Sequence, residues 1–250
     1  MSRPRVLLVD DDASIRRFVA LALEDVEVEL EACASVAQAL EALRARGPVA
    51  LVITDLMMPG ENGLVLLRRL ADEPALRGAA RIAVFSAGLR GPLQAELAAH
   101  DVWRQLSKPV SVVELEACVR DAVGTPPTTP PRDAGADQAI ALDDAARHAI
   151  TIHFAGDREL YLAFRASAVA QFEADISRGD DDIARGDLSD LRHLAHSLKS
   201  VLSLLGHDDF AGAARRLEDC AERLQTSQVT PLWARLREGL AALVSRQRPS

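Results

Sequence analysis

Short apolar runs alternate with amphipathic stretches along the first half of the chain. Each run is followed by a segment whose apolar residues have helical spacing, and this strand–helix order occurs five times. Such an order predicts an α/β fold, a doubly wound parallel sheet of five strands covered by helices on both faces. The predicted strands are residues 6–9, 26–30, 49–53, 82–85 and 104–106. Ser35 with Gln38, and Ser111 with Glu114, have the spacing of capping boxes that open helices.

The pattern changes in the second half, where no strand alternation remains. Apolar residues recur there at intervals of three and four, which is typical of amphipathic helices that pack together. The second half is therefore predicted to be all-α, a four-helix bundle. The predicted helical stretches are residues 141–154, 158–177, 188–205, 208–225 and 231–244.

A proline-rich segment separates the two patterns. It contains the run Thr-Pro-Pro-Thr-Thr-Pro-Pro, and such segments extend by about 3.1 Å per residue. A chain of 250 residues is long enough for two ordinary domains. We therefore expect one domain in residues 1–123, a linker in residues 124–137 and a second domain in residues 138–250.

Composition and charge narrow the class of protein. A net charge of −8 and a pI near 5.3 disfavour a nucleic-acid partner, because no basic surface is available to neutralise phosphates. No apolar run approaches the ~18 residues that span a bilayer, so membrane insertion is not expected. Cys33, Cys118 and Cys220 are isolated in the sequence, which fits a reducing compartment. We expect a cytoplasmic protein.

Lysine is rare in this chain. Only two of the 29 basic residues are lysine, Lys108 and Lys199, and the others are arginine. An ammonium is a compact point charge, whereas a guanidinium is a planar fork, so lysine is expected where a single oxygen has to be reached. Each lysine lies beside a different set of reactive residues. We interpret the two lysines as markers of two sites that handle one phosphoryl group.

Polar residues follow the predicted strands of the first half. The carboxyl ends of parallel strands meet at one edge of a sheet, where doubly wound folds bind ligands. Carboxylates from two strands cannot stay close and ionised without a cation, and an oxygen-only donor set suits Mg²⁺. The residues are Asp10, Asp11 and Asp12 after the first strand, Asp55 after the third, Ser86 at the end of the fourth and Lys108 after the fifth.

This set of residues resembles the response regulator receiver domain, a flavodoxin-like fold, over residues 1–123. The resemblance implies that Asp55 is the phosphoacceptor. It also implies that Asp11, Asp55 and the backbone carbonyl of Met57 ligate Mg²⁺, and that Asp10 assists through water. Lys108 would offset the charge of the phosphoryl group, and Ser86 would bind its oxygen. The resemblance is carried by Asp10-Asp11, Asp55 before Met57-Met58-Pro59-Gly60, Ser86-Ala87 and Lys108-Pro109.

Three residues near this site need a separate interpretation. Asp12 is expected to cap the helix that follows it rather than to hold a metal. Receiver domains usually carry an aromatic switch residue three positions before the lysine, and this chain has Gln105 there. Trp103 lies two residues earlier, on the same face of the predicted strand, and is a candidate substitute.

A histidine distinguishes the predicted helix over residues 188–205. Leucines form one apolar stripe on this helix, and His196 points about 150° away from the centre of the stripe. We therefore expect His196 to be exposed. A neutral imidazole can attack phosphorus, and Lys199 can offset the added negative charge. His193 could pair with His196 on a metal, but no third ligand is evident; His100, His148, His153 and His207 are expected to be ordinary surface or loop residues.

The run Ala195-His196-Ser197-Leu198-Lys199, with Gly206 ten positions after the histidine, resembles a histidine-containing phosphotransfer (Hpt) domain. This resemblance covers residues 138–250 and implies that His196 carries a phosphoryl group. One departure is Ser200, where the family usually has glycine. We expect the serine to reduce the access of an incoming receiver domain.

The two resemblances predict a phosphorelay intermediate. Asp55 would take a phosphoryl group from an upstream histidine kinase, simple or hybrid, and His196 would exchange one with a separate response-regulator receiver. The sequence has no glycine-rich nucleotide loop, so an enzyme with kinase activity is not expected. Two alternatives stay open. One is a phosphorylation-gated docking module whose helical domain carries no phosphate; the other is a phosphohydrolase that uses Asp10 and Asp12.

Overall fold

The structure is a computed structural model that describes residues 3–86, 92–124 and 142–247. The chain divides into two compact units, Met1–Arg132 and Asp133–Ser250. Of the predicted linker, only Gly124 belongs to the described residues; it adopts a left-handed conformation, with φ of 72°, at the end of a helix. In the part of the chain that is described, no helix combines the length and hydropathy needed to cross a bilayer.

The first unit contains the predicted parallel sheet of five strands, in the order β2-β1-β3-β4-β5. This order places a change of winding direction between β1 and β3, the position where doubly wound folds form their binding crevice. The strands are β1 (Arg5–Val9), β2 (Glu29–Cys33), β3 (Leu51–Asp55), β4 (Arg81–Ser86) and β5 (Arg104–Ser107). The helices are α1 (Ala13–Ala22), α2 (Val36–Arg46), α3 (Gly63–Asp72), α4 (Pro74–Arg77), α5 (Pro92–Ala98) and α6 (Val112–Val123).

Side-chain caps fix where several of these helices begin. The carboxylate of Asp12 accepts hydrogen bonds from the backbone N–H groups of Ser14 and Ile15, at 2.7 and 3.3 Å, so the predicted cap of α1 is confirmed. Ser111 and Glu114 make both hydrogen bonds of the predicted capping box at α6.

The second strand differs most from the prediction, while β3 begins and ends two residues later than predicted. The apolar run at residues 26–30 predicted it, but β2 begins only at Glu29 and continues to Cys33. Val26 and Val28 are buried in the segment that precedes the strand. β2 lies at the edge of the sheet, paired with β1, and among its residues Cys33 alone is buried. A half-exposed edge strand therefore lacks the apolar run that marks a central one.

The second unit is helical, as predicted. Tyr161 donates a hydrogen bond of 3.2 Å from its buried hydroxyl to the carbonyl of Leu205, which ties the first long helix to the end of the next. The ring of Phe154 packs edge-on against Tyr161 at a centroid distance of 5.3 Å. The helices are α7 (Asp144–His153), α8 (Arg158–Arg185), α9 (Leu188–Leu204), α10 (Asp208–Glu222) and α11 (Thr226–Gln247).

Two of these helices are longer than the pattern predicted. α8 continues from residue 177 to Arg185, through a polar segment that contains Gly179, and ends where Gly186 adopts φ of 69°. The packing requires glycine at residue 179, because a Cβ there would lie 2.2 Å from the ring of Trp233. α11 begins at Thr226, so Pro231 lies inside the helix and not at its start.

Candidate functional site

A buried acidic cluster lies at the carboxyl ends of β1 and β3. Asp10 directly follows β1 and Asp55 is the last residue of β3; their exposed fractions are 0% and 2%. Asp11 is partly buried beside them. Each of these three residues offers a carboxylate oxygen, and the three oxygens all lie within 4.8 Å of one another. The predicted convergence of acidic strand ends is therefore present.

Lys108, directly after β5, reaches into this acidic cluster. Its ammonium donates hydrogen bonds to Asp55 Oδ2 at 2.7 Å and to Asp10 Oδ2 at 2.8 Å. The lysine side chain is only 4% exposed, so both ion pairs are shielded from solvent. The ring of Phe85 lies 5.8 Å below the ammonium. One buried cation thus bridges the two carboxylates that arrive from different strands.

Burial dominates the electrostatics of the cluster. It raises the pKa of Asp10 to about 7, although the charge of Lys108 opposes this effect. The pKa of Asp11 is also raised, first by burial and then by the charges of Asp55 and Asp12. Burial disfavours the Lys108 ammonium, but Asp10 and Asp55 outweigh it and raise the lysine pKa. With one lysine for three close carboxylates, this all-oxygen donor set fits a hard divalent cation.

Backbone groups hold Asp55 in place. Its Oδ1 accepts a hydrogen bond of 3.1 Å from the N–H of Met57. Gly63, at the start of α3, lies against the carbonyl of Asp55, and a Cβ at residue 63 would be only 2.1 Å from that oxygen. Arg16 also supports the site by donating to the carbonyl of Asp10 at 2.7 Å. Neither Gly63 nor Arg16 was among the predicted site residues, because nothing in the sequence indicates which carbonyl each one contacts.

For Ser86, another predicted residue of this site, the structure describes only the backbone. Ser86 ends β4 and pairs in register with Ser107, the residue before Lys108. The side chain of Ser86 lies outside the described residues, and so does the structure of Ala87.

The candidate switch residues lie on β5 and just before it. Gln105 lies on β5 and is exposed. Trp103 precedes β5, at the end of the strand opposite to Lys108, with its ring 4.7 Å from the guanidinium of Arg81 and 4.3 Å from that of Arg104. Five residues of extended chain separate Trp103 from Lys108 by about 16 Å. The idea that Trp103 substitutes for the missing aromatic switch residue is not supported by this position.

The second site is built around His196 on α9. The expectation that this residue is exposed was wrong: it is 4% exposed. Its Nδ1 lies 2.6 Å from Oε1 of Glu218 on α10. The leucine stripe predicted one buried face for α9, but more of the helix surface is buried because α9 packs against both α8 and α10. The buried residues of α9 are Leu191, Leu194, Ala195, His196, Leu198, Ser200, Val201, Leu202 and Leu204.

Glu218 joins the histidine to the second lysine. Its Oε2 accepts a hydrogen bond of 2.6 Å from Lys199 Nζ, while Oε1 contacts His196. Burial raises the pKa of Glu218, but the hydrogen bonds and charges of His196 and Lys199 outweigh this and lower it to about 2. Glu218 is therefore a carboxylate that can only accept hydrogen bonds. The proton of a neutral His196 ring must then be on Nδ1, which leaves the lone pair on Nε2.

Glu218 was missed in the sequence. It lies 22 residues after His196 on a different helix, so no local spacing connects the two. One feature of the sequence could have indicated Glu218, since this acidic residue lies beside Leu217 and Ala221, which are apolar and buried in α10. A carboxylate at the margin of an apolar face requires a partner, and His196 and Lys199 of the neighbouring helix supply one each.

The other histidines do not join this site. His193 is partly buried, and burial, together with the charge of Arg192, lowers its pKa. Within residues 3–86, 92–124 and 142–247, the only group of three metal-ligating side chains is the acidic cluster of the first unit, so a metal pair of His193 and His196 gains no third ligand. His148 is exposed, and His100, His153 and His207 are partly buried.

Comparisons with known proteins identify a domain in each half of the chain. The family model of the response regulator receiver domain matches residues 6–120, and that of the Hpt domain matches residues 159–246. The DNA-binding transcriptional regulator NtrC of Azospirillum brasilense is 35% identical over 145 residues, which are 57% of this chain and 29% of that protein. Response regulator Rre1 of Synechocystis sp. is 32% identical over 136 residues, 54% of this chain and 57% of that protein. The chain thus covers less than two thirds of either relative.

Among solved structures, a response regulator receiver protein from Pseudomonas putida is 30% identical. The match covers 48% of this chain and 98% of that one, with a TM-score of 0.44.

Fold and sites define the class: a doubly wound α/β domain with a buried acidic cluster, followed by a helical domain with an oriented histidine. The chain joins a response regulator receiver domain to an Hpt domain, two modules of two-component phosphorelay signalling. Both are phosphotransfer modules, and neither is a kinase catalytic domain.

Proposed function

We propose that the chain is a phosphorelay intermediate with two acceptor residues, Asp55 and His196. One observation carries the proposal: each proposed nucleophile has one of the two lysines beside it, and the ammonium of that lysine lies within 2.8 Å of a carboxylate of the same site. Lys108 contacts Asp55 itself, and Lys199 contacts the glutamate that holds His196. An ammonium beside each nucleophile offsets the charge that a transferred phosphoryl group brings.

At the first site, Asp55 acts as a carboxylate nucleophile. One of its oxygens attacks the phosphorus of a phosphohistidine on a partner; the new O–P bond forms as the N–P bond breaks, and the electron pair returns to the partner's imidazole. Asp11, Asp55 and the carbonyl of Met57 would hold Mg²⁺, with Asp10 assisting through water. The cation would neutralise charge on the transferring oxygens. Lys108 supplies a second positive charge, and Ser86 would donate a hydrogen bond to the attached phosphoryl group.

At the second site, the lone pair of His196 Nε2 attacks the phosphorus of a receiver aspartyl phosphate. The N–P bond forms, the P–O bond breaks, and the electron pair stays on the aspartate. Glu218 keeps the ring proton on Nδ1 and offsets the positive charge that develops on the ring. Lys199 offsets the charge of the phosphoryl oxygens. The reverse step returns the group to an aspartate, so His196 serves in either direction.

The proposed partners follow from this chemistry. A histidine kinase, simple or hybrid, would supply the phosphoryl group to Asp55, and a separate response-regulator receiver would exchange it with His196. We place the receiver domain in residues 1–123, the linker in residues 124–137 and the Hpt domain in residues 138–250. The proposed location is the cytoplasm, because the described cysteines are free thiols, which suits a reducing compartment.

A labelling experiment tests the proposal. Wild type, Asp55→Asn and His196→Gln are incubated with Mg²⁺ and a small acyl-phosphate donor, and phosphate is mapped by intact mass and by its stability in acid and base. We expect a base-labile label on Asp55, and an acid-labile label on His196 that is lost in Asp55→Asn. A wild type that never labels at Asp55 would contradict the proposal.

One observation favours a second candidate function. His196 is buried, so a helical domain that only docks on a kinase or receiver remains an alternative. In that case label would appear at Asp55 alone, even after phosphorylated partner receivers are added. Signalling by His196→Gln would then equal that of wild type.

A further inference from the structure

Ser200 lies one helical turn after His196, where it replaces the glycine usual at this position. It is 2% exposed, so it belongs to the buried face of α9. Residues four apart on a helix share a face, with about 5–6 Å between their Cβ atoms. Side chains also lean toward the start of their helix, which directs Ser200 toward the turn of His196. The hydroxyl and the imidazole are therefore neighbours on one buried surface.

Two polar atoms of this surface lack a protein partner. Among the described residues, His196 Nε2 and Ser200 Oγ are both buried and neither makes a hydrogen bond. A helical serine commonly satisfies its hydroxyl by donating to the carbonyl four residues earlier, and Ser200 makes no such bond. Leaving a hydroxyl buried and unsatisfied is costly, so a missing partner is indicated. The lone pair of Nε2 is left free because Glu218 occupies Nδ1.

We propose that Ser200 is a phosphoryl-binding residue, whose hydroxyl donates a hydrogen bond to an oxygen of the phosphoryl group carried by His196 Nε2. This inference rests on the proposed function of His196. It deepens that function, because it gives the serine a chemical role in place of the steric one expected from the sequence. A buried phosphoryl group needs several donors, and Lys199, already held by Glu218, is one of them.

The Ser200 hydroxyl thus has a distinct effect on the relay. A donor to a charged oxygen favours the phosphorylated histidine over the unphosphorylated one, so it shifts the equilibrium with an aspartyl phosphate toward His196. It also favours the dianion of the phosphoryl group over the monoanion. Glycine, the usual residue, would do neither.

The test uses the full chain with Asp55→Asn, so that label on Asp55 does not interfere. His196 is phosphorylated with phosphoramidate at a fixed ratio of phosphoramidate to ammonia, and the labelled fraction is read by intact mass. Phosphorus NMR then gives the pKa of the attached phosphoryl group. The variants are Ser200→Ala, which removes the hydroxyl at nearly constant size, and Ser200→Gly, which also opens space. Ser197→Ala is the control, since Ser197 is a partly exposed serine of the same helix.

We expect Ser200→Ala and Ser200→Gly to lower the ratio of labelled to unlabelled His196 by about tenfold, the effect of losing one charge-assisted hydrogen bond. The phosphoryl pKa should rise in both variants. Ser197→Ala should match the parent chain, and thermal unfolding checks that every variant is folded.

The other outcomes separate the two claims. If His196 labels equally in the parent chain and in both Ser200 variants, the role of Ser200 is overturned while His196 stands as a phosphohistidine. If only Ser200→Gly differs from the parent, and by labelling faster, the serine restricts access and binds nothing. If His196 does not label in the parent, Ser200 has no phosphoryl group to bind, and both the inference and the proposed role of His196 fall.

Discussion

At the scale of single residues, Glu218 determines which chemistry His196 can perform. An isolated imidazole exchanges its proton between two nitrogens, and either one can carry the lone pair. Here the partly buried carboxylate of Glu218 fixes the proton on Nδ1 and also binds the ammonium of Lys199. The same residue therefore orients the nucleophile and positions the cation that would stabilise the product. Lys108 has the matching role at Asp55, where one ammonium bridges two carboxylates.

Replacing Glu218 by glutamine tests this arrangement. The amide retains the shape but lacks the charge, and it can pair with either tautomer of His196. We expect Glu218→Gln to slow phosphorylation of His196 by about tenfold to a hundredfold, the range for removing the carboxylate partner of a functional histidine. The rate is measured with a phosphorylated receiver as donor. Glu222→Gln is the control, because Glu222 is mostly exposed and contacts Arg192 only at 3.5 Å. Equal rates in the two variants would contradict a positioning role for Glu218.

The same substitution should change how stability depends on pH. The pKa of Glu218 is about 2 in the folded chain against 4.5 for the ordinary group, so the folded state binds fewer protons. This lowered pKa contributes stability that is fully present above pH 4.5 and is lost as the pH falls toward 2. The contribution at neutral pH is about 3 kcal/mol. Denaturant unfolding of wild type and Glu218→Gln should show a stability difference that shrinks over this acidic range; a difference independent of pH would contradict the assignment.

The sequence indicated the residues at the centre of each candidate site, but not the residues that contact them. Asp55, Lys108, His196 and Lys199 stand out because their chemistry is unusual for their surroundings, and short motifs surround each of them. Glu218 is an ordinary acidic residue on a helix, and only the packing of α10 against α9 gives it a role. The exposure of His196 was predicted wrongly for the same reason, since one hydrophobic stripe describes contact with one neighbouring helix and α9 packs against more than one.

At the scale of helices and strands, α8 shows how packing overrides local propensity. Its last turns contain glycine and several aspartates, all weak helix formers, and the apolar pattern ends near residue 177. The helix nevertheless continues because Trp233 of α11 packs on Gly179 and donates a hydrogen bond of 2.9 Å to Asp180. Arg237 adds an ion pair to Asp180 at 2.9 Å. The periodicity of apolar residues predicts a central helix or strand well. It does not show the tertiary contacts that extend α8, and it is weak in the half-exposed strand β2.

Two glycine substitutions measure how much the packing of Trp233 on Gly179 contributes to stability. Gly179→Ala places a Cβ about where the Trp233 ring lies, because the distance would be 2.2 Å. We expect a loss of about 1–3 kcal/mol of unfolding free energy, the usual cost of overpacking a core. Gly212→Ala is the matched control, since it is also inside a helix but its Cβ would meet nothing closer than 3.7 Å. That variant should be unchanged or more stable by up to about 1 kcal/mol. Equal denaturation midpoints for the two variants would contradict the contact.

At the scale of the whole molecule, the two proposed acceptors, Asp55 and His196, lie in separate compact units, with residues 125–141 between the described parts that contain them. A tether raises the local concentration of one domain near the other to about millimolar when it is flexible, and a stiff tether of the wrong length gives no increase. Proline-rich chains are semi-rigid. The proposed relay therefore has two physical routes, transfer within one chain and transfer between chains, and they differ in how the rate depends on protein concentration.

Mixing two inactive variants separates these routes. Asp55→Asn chains keep His196, and His196→Gln chains keep Asp55, so phosphate that starts on Asp55 can reach a histidine only by passing between molecules. We expect the Asp55→Asn chain to become labelled at a rate proportional to the concentration of the phosphorylated His196→Gln chain, because each domain carries a complete site of its own. Wild type at the same concentration reports the contribution of the tether: a faster, concentration-independent rate means that transfer within the chain dominates. Asp55→Asn alone with the chemical donor gives the background. If the mixed chains never exceed that background at any concentration while wild type labels at His196, transfer is confined to one chain and the expected exchange between molecules is wrong.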